Sequence, residues 1–189
     1  MNVFLWRINL RNQQWSKVKK KLEGFICDSL KNRVQFTVTN YRKAHDQLGR
    51  AFITVDKKEV LNMCTITSDI AIYKKEREIR KVDYIRYDVY NERQNYDIGT
   101  HAHDMIKSEG IFAQYDFFDA VDEYFKLPIE KSLKSDDMVI KILSLIDRRV
   151  GKRTLEGIKE SILIEKQIIQ FFYNLRCEAE GLTNSQKEA

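Results

Sequence analysis

A strict alternation of apolar and polar residues at positions 33–39 constrains the fold more than any other segment. The apolar members are Val34, Phe36 and Val38, and the polar members are Arg33, Gln35, Thr37 and Thr39. Because successive side chains of a strand point to opposite faces, this pattern predicts a strand with one buried and one solvated face. Such a strand requires neighbours, so the chain must build a sheet around it.

The segments on either side of this strand predict a helix and the rest of a small sheet. Residues 15–30 predict a helix whose apolar stripe contains Trp15, Val18, Leu22, Phe25, Ile26 and Leu30. Residues 51–55 form a more continuously apolar run that suits a central strand, and residues 59–64 follow a predicted turn as a third strand. The short connections favour an antiparallel meander with the helix packed on one face.

The second half of the chain has helical apolar spacing from Phe112 onward. Two of its predicted helices should bury the sets Val139, Ile142, Leu143 and Ile146, and Ile168, Phe171, Phe172 and Leu175. Residues 84–90 fit a helix or a strand. We therefore predict an α+β fold: an N-terminal helix on a small antiparallel three-stranded sheet, followed by a C-terminal helical bundle.

The charge of the chain divides into two unlike parts. Residues 1–66 hold 13 Lys and Arg against 5 Asp and Glu, whereas residues 67–189 hold 20 against 23. We expect a basic α+β part and a mainly helical part with this boundary. One proline and seven glycines give no sign of a flexible linker, so the parts should pack as one compact unit.

The basic part predicts a surface for an anionic macromolecule, either a nucleic acid or an acidic protein. A concentrated positive field attracts such partners, although an ordinary solvated helix face produces the same pattern. The candidate binding residues of this part are Lys17, Lys19, Lys20, Lys21, Lys31, Arg33, Arg42 and Lys43.

A second basic cluster lies near the predicted end of a later helix. It places Arg148, Arg149, Lys152 and Arg153 within six positions, directly after Asp147. Arginine offers a planar fork that holds phosphates or carboxylates through two hydrogen bonds. The alternative is that these cations complement the negative end of a helix and pair with Asp147.

Histidines provide the one candidate metal site. His101 and His103 share a face if they lie on a strand, but point about 200° apart if they lie on a helix. His45 could supply a third ligand from a distant loop. This set suggests a metal-dependent hydrolase or nuclease as an alternative function. The chain has neither a Gly-x-Ser-x-Gly elbow nor a glycine-rich phosphate loop, so the leading interpretation has no catalytic residue and no cofactor.

Cysteine usage and hydropathy limit the compartment. Cys27, Cys64 and Cys177 are odd in number and widely spaced among apolar residues, which favours buried, unreactive thiols in a reducing cytoplasm. No apolar run approaches the roughly 20 residues that cross a bilayer, so we expect no membrane partner. A purely structural protein that forms homo-oligomers is the third functional alternative.

Several segments together resemble a family of small, functionally uncharacterised bacterial proteins. The resemblance runs from Trp15 to Leu182 and rests on residues 29–34, 40–43, 53–56, 147–153 and 175–181. It implies one intact module in a bacterial cytoplasm. It brings no activity, cofactor or catalytic residue, so the expected function is a non-catalytic binding module.

Overall fold

A computed structural model of the 189-residue chain describes residues 15–41 and 48–182. These residues divide into two compact units that interleave along the chain. One unit holds residues 38–41, 48–52 and 62–117, and the other holds residues 15–37, 53–61 and 118–182. The predicted boundary between residues 66 and 67 stays a prediction.

The first helix, α1, spans Trp15–Phe25 and buries Val18 and Leu22. The helix predicted over residues 15–30 is correct to Phe25 and wrong beyond it. Ile26 leaves the helix to form an antiparallel bridge with Asp147, and Cys27 is extended, with φ −61° and ψ 149°. One turn of 3₁₀ helix follows at Asp28–Leu30. A pairing with a residue 121 positions away therefore ends the helix, and helical spacing alone could not reveal it.

Three strands form the sheet: β1 (Val34–Asn40), β2 (Gly49–Val55) and β3 (Lys58–Cys64). Their order is β1-β2-β3 in an antiparallel meander, so β2 is the central strand, as predicted. The turn between β2 and β3 holds Asp56 and Lys57 at φ 50° and 67°. Two successive positive φ values match the twist of the flanking strands and produce a tight hairpin.

Two long helices follow the sheet and pack against each other as a hairpin: α2 (Thr65–Val82) and α3 (Glu92–Ser108). Asn91 caps α3, since its side chain accepts a hydrogen bond from the backbone N–H of Gln94 over 3.2 Å. Residues 84–90, for which helix and strand were both open, form neither. Tyr84 has φ 54°, and most of this connection is exposed, so little burial is available to select a regular element.

Five further helices complete the described chain, and the α+β prediction is confirmed. Asp137 caps the third of them by accepting hydrogen bonds from the N–H groups of Val139 and Ile140. The helices are α4 (Gln114–Tyr124), α5 (Ile129–Leu133), α6 (Met138–Leu145), α7 (Lys152–Ile162) and α8 (Gln167–Ala179). Among residues 15–41 and 48–182, no helix combines the length and apolarity needed to cross a membrane.

The buried face of α8 differs from the prediction. Phe172 and Leu175 are buried as expected, but Phe171 is 40% exposed and Ile168 is half-buried. The inward face also contains Arg176, which is only 4% exposed. A hydropathy pattern assigns arginine to solvent, and this shifted the predicted stripe toward Phe171.

Candidate anion-binding surface

The loop at residues 146–151, between α6 and α7, carries part of the second basic cluster and is tied to the end of α1. The backbone N–H of Cys27 donates to the carbonyl of Ile146 over 2.9 Å, and the N–H of Arg148 donates to the carbonyl of Phe25 over 2.8 Å. These two bonds flank the bridge between Ile26 and Asp147. The first helix and this loop, far apart in sequence, therefore present their cations together.

Asp147 anchors the loop from inside. Its carboxylate is fully buried and accepts hydrogen bonds from the hydroxyl of Tyr124, from the backbone N–H of Arg149 over 2.7 Å, and from Nη2 of Arg149 over 2.6 Å. Burial and the bond to Asp147 raise the pKa of Tyr124 well above its ordinary value, so the hydroxyl stays a donor. These donors compensate the cost of burying a carboxylate.

Arg176 anchors the same loop from α8. Its Nη2 donates to the carbonyl of Val150 over 2.9 Å, and its Nη1 lies 3.5 Å from the carbonyl of Ile146. Nη2 also lies 3.3 Å from Glu180, one helical turn onward. The loop is thus fixed by buried polar groups on both sides, which leaves the side chains of Arg148 and Arg149 at a defined place.

Two cations of this region lie on neighbouring aromatic rings. The Nζ of Lys21 is 3.8 Å from the centroid of the Phe125 ring, and the guanidinium of Arg149 is 4.4 Å from that of Phe25. The two ring centroids are 6.0 Å apart. Attraction between a cation and the face of an aromatic ring holds each side chain extended across the surface.

Lys17 and Arg148 extend this row. Lys17 precedes Lys21 by four residues, so both lie on one face of α1, and Arg148 is exposed beside the end of the helix. We call Lys17, Lys21, Arg148 and Arg149 the basic surface. Asp28, whose carboxylate interacts electrostatically with Arg148, pairs with Lys31 over 2.5 Å.

Several other predicted cations are engaged within the chain. Arg33 holds Asp56 over 2.9 Å and Glu178 over 3.3 Å, and its hydrogen bonds lower the pKa of Asp56. Lys31 likewise lowers the pKa of Asp28. Two more of the predicted cations make a weaker contact or a contact to the backbone. Lys19 lies 3.7 Å from Glu23, and Lys152 donates to the carbonyl of Glu180 over 2.7 Å.

Lys20 and Arg153 are exposed, and no carboxylate among the described residues forms an ion pair with either of them. Arg42 and Lys43 lie outside the described residues. The structure therefore brings together Lys17, Lys21, Arg148 and Arg149 from the predicted set, while Lys31, Arg33 and Lys152 serve internal contacts.

The two histidines of the predicted metal site both lie on α3. His101 is exposed, whereas the Nε2 of His103 lies 3.0 Å from Asp116. Asp116 also accepts the backbone N–H of Ala113 over 2.7 Å, so it caps the start of α4. On one helix, His101 and His103 point about 200° apart and do not face a common ion. His45 lies outside the described residues, among which no group of three metal-binding side chains converges.

The cleft beneath α1 is small and apolar. Its empty volume is about 160 Å³, below the roughly 300–1,000 Å³ of typical ligand pockets. It is lined by Leu22, Phe25, Ile26, Phe36, Tyr124, Leu143 and Ile146. This composition suits a gap in the core between α1, β1 and their neighbours more than a reaction site.

The cysteines differ from one another more than the sequence indicates. Cys27 and Cys177 are buried, whereas Cys64 is half-buried at the start of α2. Burial disfavours its thiolate, but hydrogen bonds from Thr67, Tyr41 and Ile66 outweigh that effect and lower the pKa of Cys64. The prediction of unreactive thiols therefore fits Cys27 and Cys177 better than Cys64.

Sequence reasoning missed the residues that position the cations. Phe25 was assigned to a buried stripe, and the roles of Tyr124, Phe125 and Arg176 were not predicted. One signal was available in the sequence. Charged residues such as Arg176 rarely lie between apolar residues on an inward helix face, so their presence there suggests a buried anchor.

Comparison with known proteins identifies the family and adds no chemistry. No curated protein and no solved structure matches the chain. A model described as the SF0329 protein family matches residues 14–177, a span that includes α1, the sheet, the loop at 146–151 and most of α8. The match covers most of the sequence, and the chain therefore belongs to the SF0329 protein family.

Proposed function

We propose that this protein is a non-catalytic binding module of the bacterial cytoplasm that holds a nucleic acid through its basic surface. The observation that supports this most is the convergence of Lys17 and Lys21 with Arg148 and Arg149, which α1 and the loop at 146–151 contribute together. A row of cations suits a linear polyanion, whose phosphates repeat at short and regular intervals.

The chemistry of each cation fits phosphate contact. Lys17, Lys21 and Arg148 have exposed side chains and no ion pair with a described carboxylate. Arg149 directs Nε and Nη2 toward Asp147, which leaves Nη1 as the edge that can donate outward. Lys21 and Arg149 are pre-ordered on aromatic rings, so binding costs less side-chain entropy there than at free lysines.

The alternative function, a metal-dependent hydrolase, has no comparable convergence of side chains among the described residues to support it. His101 and His103 diverge on α3, and His103 is engaged with Asp116.

The test compares two triple variants that change the net charge equally. In one, Lys17, Lys21 and Arg148 become Gln; in the control, the exposed Lys58, Lys134 and Lys159 become Gln. Binding of a short fluorescent DNA duplex is followed by anisotropy at about 50 mM salt, where electrostatic contacts are strong. We expect the first variant to bind the duplex much more weakly than the original chain and the control to bind it with nearly the original affinity.

Equal loss in both variants would show that net charge, and not the basic surface, attracts the duplex. Binding to an acidic polypeptide in the absence of any binding to DNA would contradict a nucleic-acid partner and favour an acidic protein. Thermal melts of both variants check that the fold is intact.

A further inference from the structure

The hairpin of α2 and α3 exposes an apolar face that the described residues leave uncovered. The buried residues of α2 are Thr65 and Ser68, whereas Ile66, Ile70 and Tyr73 are 41%, 51% and 61% exposed. Ile70 lies two residues from Ser68 and therefore about 200° around the helix from the buried side. We call Ile66, Ile70 and Tyr73 the α2 seam.

The connection between the two helices holds three further exposed tyrosines. Tyr84, Tyr87 and Tyr90 are 94%, 68% and 91% exposed in the connection between the helices. Together with Tyr73 they present about 600 Å² of tyrosine surface, if one side chain offers about 200 Å². The largest apolar patch of an ordinary monomer covers roughly 300–600 Å².

Aliphatic residues enlarge the surface further. Ile66 and Ile70 belong to the seam, and Val82 and Val89 are exposed near the end of the hairpin. With them the area approaches the roughly 800 Å² that each partner buries in a standard protein interface. Burying the seam together with the connection would therefore remove enough area for a stable protein contact.

The spacing of the seam is that of a coiled coil. Ile66, Ile70, Tyr73 and Arg77 follow one another at intervals of four, three and four residues, the spacing of alternating d and a positions. Such a short seam pairs with another helix, and its flanking charges select the partner and the direction.

The flanking charges are complementary to those of an identical, parallel helix. Asp69 occupies a g position on one side of the seam, whereas Lys74 and Lys81 occupy e positions on the other. In a parallel pair, Asp69 of one helix faces Lys74 of the other, twice by symmetry. An antiparallel pair would place the lysines of the two helices on the same side and produce repulsion.

The net charge of the hairpin also favours a second copy over a nucleic acid. Residues 65–108 hold eight Lys and Arg and eight Asp and Glu, although the whole chain carries +5. Two copies meeting here experience no net repulsion, and a polyanion gains no net attraction.

We propose that α2 pairs in parallel with α2 of a second copy of the chain, which brings the tyrosine-rich ends of both hairpins side by side. The dimer buries the α2 seam of each copy around a two-fold axis. This inference rests on surface area, spacing and flanking charge, and is independent of the proposed nucleic-acid function.

Sedimentation equilibrium of the full chain tests the interface. We expect the protein to dimerise at or below about 100 μM, because interfaces of standard size associate in the micromolar range or more tightly. Ile70→Glu places an unpaired charge in the centre of the seam and should abolish the dimer. Ile164→Glu is the matched control, since Ile164 is 89% exposed between α7 and α8, and this variant should dimerise normally.

A charge exchange tests the parallel direction. Asp69→Lys and Lys74→Glu each create like-charge contacts in their homodimers, and we expect each to weaken dimerisation about tenfold. An equimolar mixture of the two should form heterodimers with an affinity near that of the original chain, because both contacts become complementary again.

Three results would overturn the proposal. If the chain stays monomeric at about 100 μM, the α2 seam does not bind a second copy, and the chain's own residues or a different partner cover it. Dimers that survive Ile70→Glu use another surface. A mixture that dimerises no better than its components excludes the parallel arrangement, and thermal melts establish that each variant is folded.

Discussion

Asp147 and Arg149 form an ion pair that reaches from the core to the surface: the Asp147 carboxylate is fully buried, while 36% of the Arg149 side chain remains exposed. Nη2 of Arg149 lies 2.6 Å from Oδ2 of Asp147. The same guanidinium lies over the ring of Phe25. The position of the basic surface therefore depends on a buried carboxylate, and stability and binding should respond together to changes there.

Replacing Asp147 by Asn should destabilise the fold by about 3 kcal/mol, because removing one member of a buried ion pair leaves the other uncompensated. Urea unfolding measures the change. Asp136→Asn is the control, since Asp136 is exposed two residues before α6, and it should shift stability by no more than about 0.5 kcal/mol. Equal effects in the two variants would contradict an anchoring role for Asp147.

Replacing Arg176 by Met should cost about 1–3 kcal/mol, because the buried carbonyl of Val150 would lose the donor that Arg176 supplies. The carbonyl of Ile146 keeps its hydrogen bond from the N–H of Cys27. Arg153→Met removes an exposed arginine and serves as the control. Chemical unfolding of both variants decides the point: an Arg176 variant as stable as the control would show that the loop is fixed without this side chain.

The two adjacent phenylalanines of α8 should respond differently to truncation. Phe172 is fully buried, so Phe172→Ala should cost about 3–5 kcal/mol through lost contacts and a cavity. Phe171 is 40% exposed and meets Phe172 edge-on at 5.3 Å, so Phe171→Ala should cost about 1 kcal/mol or less. Calorimetric melts distinguish the two, and equally large losses would mean that both rings lie on the buried face, as the apolar spacing predicted.

Cys64 should be the first thiol to react with a maleimide at neutral pH. Hydrogen bonds from Thr67 and Tyr41 lower its pKa despite partial burial, whereas burial raises the pKa of Cys177. A lowered pKa increases the thiolate fraction at pH 7, so the labelling rate of Cys64 should approach its maximum below the usual pH of about 9.

Thr67→Val should raise the pKa of Cys64 and slow its labelling at pH 7, because the side-chain donor is lost. Thr154→Val, at an exposed position in the first turn of α7, should leave the rate unchanged. Mass spectrometry of the labelled peptides identifies the reacting thiol. Faster labelling of Cys27 or Cys177 in the folded protein would contradict this account.

The order of elements could be predicted because local patterns determine it. The alternation around Val34 and Phe36 produced β1 with both residues buried, and the apolar run at residues 51–55 lies in the central strand. The end of α1 could not be predicted, since it depends on the bridge from Ile26 to Asp147. The inward face of α8 was shifted because a buried Arg176 contradicts the usual relation between charge and exposure.

The candidate site could be predicted only as a set of cations. The sequence places Lys21 and Arg149 in separate basic segments, and the fold brings them onto neighbouring rings of Phe125 and Phe25. Arg33 was assigned to the same surface, but Glu178, 145 positions away, and Asp56 engage it. Ion pairs between distant residues depend on tertiary structure, which charge counts along the chain do not contain.

The salt dependence of DNA binding tests the central claim most directly. Three or four phosphate contacts at the basic surface predict a slope of log K against log salt of about −3 for duplex DNA. In the variant with Lys17, Lys21 and Arg148 changed to Gln, the slope should flatten to a value between zero and about −1. Each lost phosphate contact reduces the magnitude of the slope by about 0.9. An affinity independent of salt, or equal slopes for the variant and the original chain, would contradict the claim that this surface binds nucleic acid.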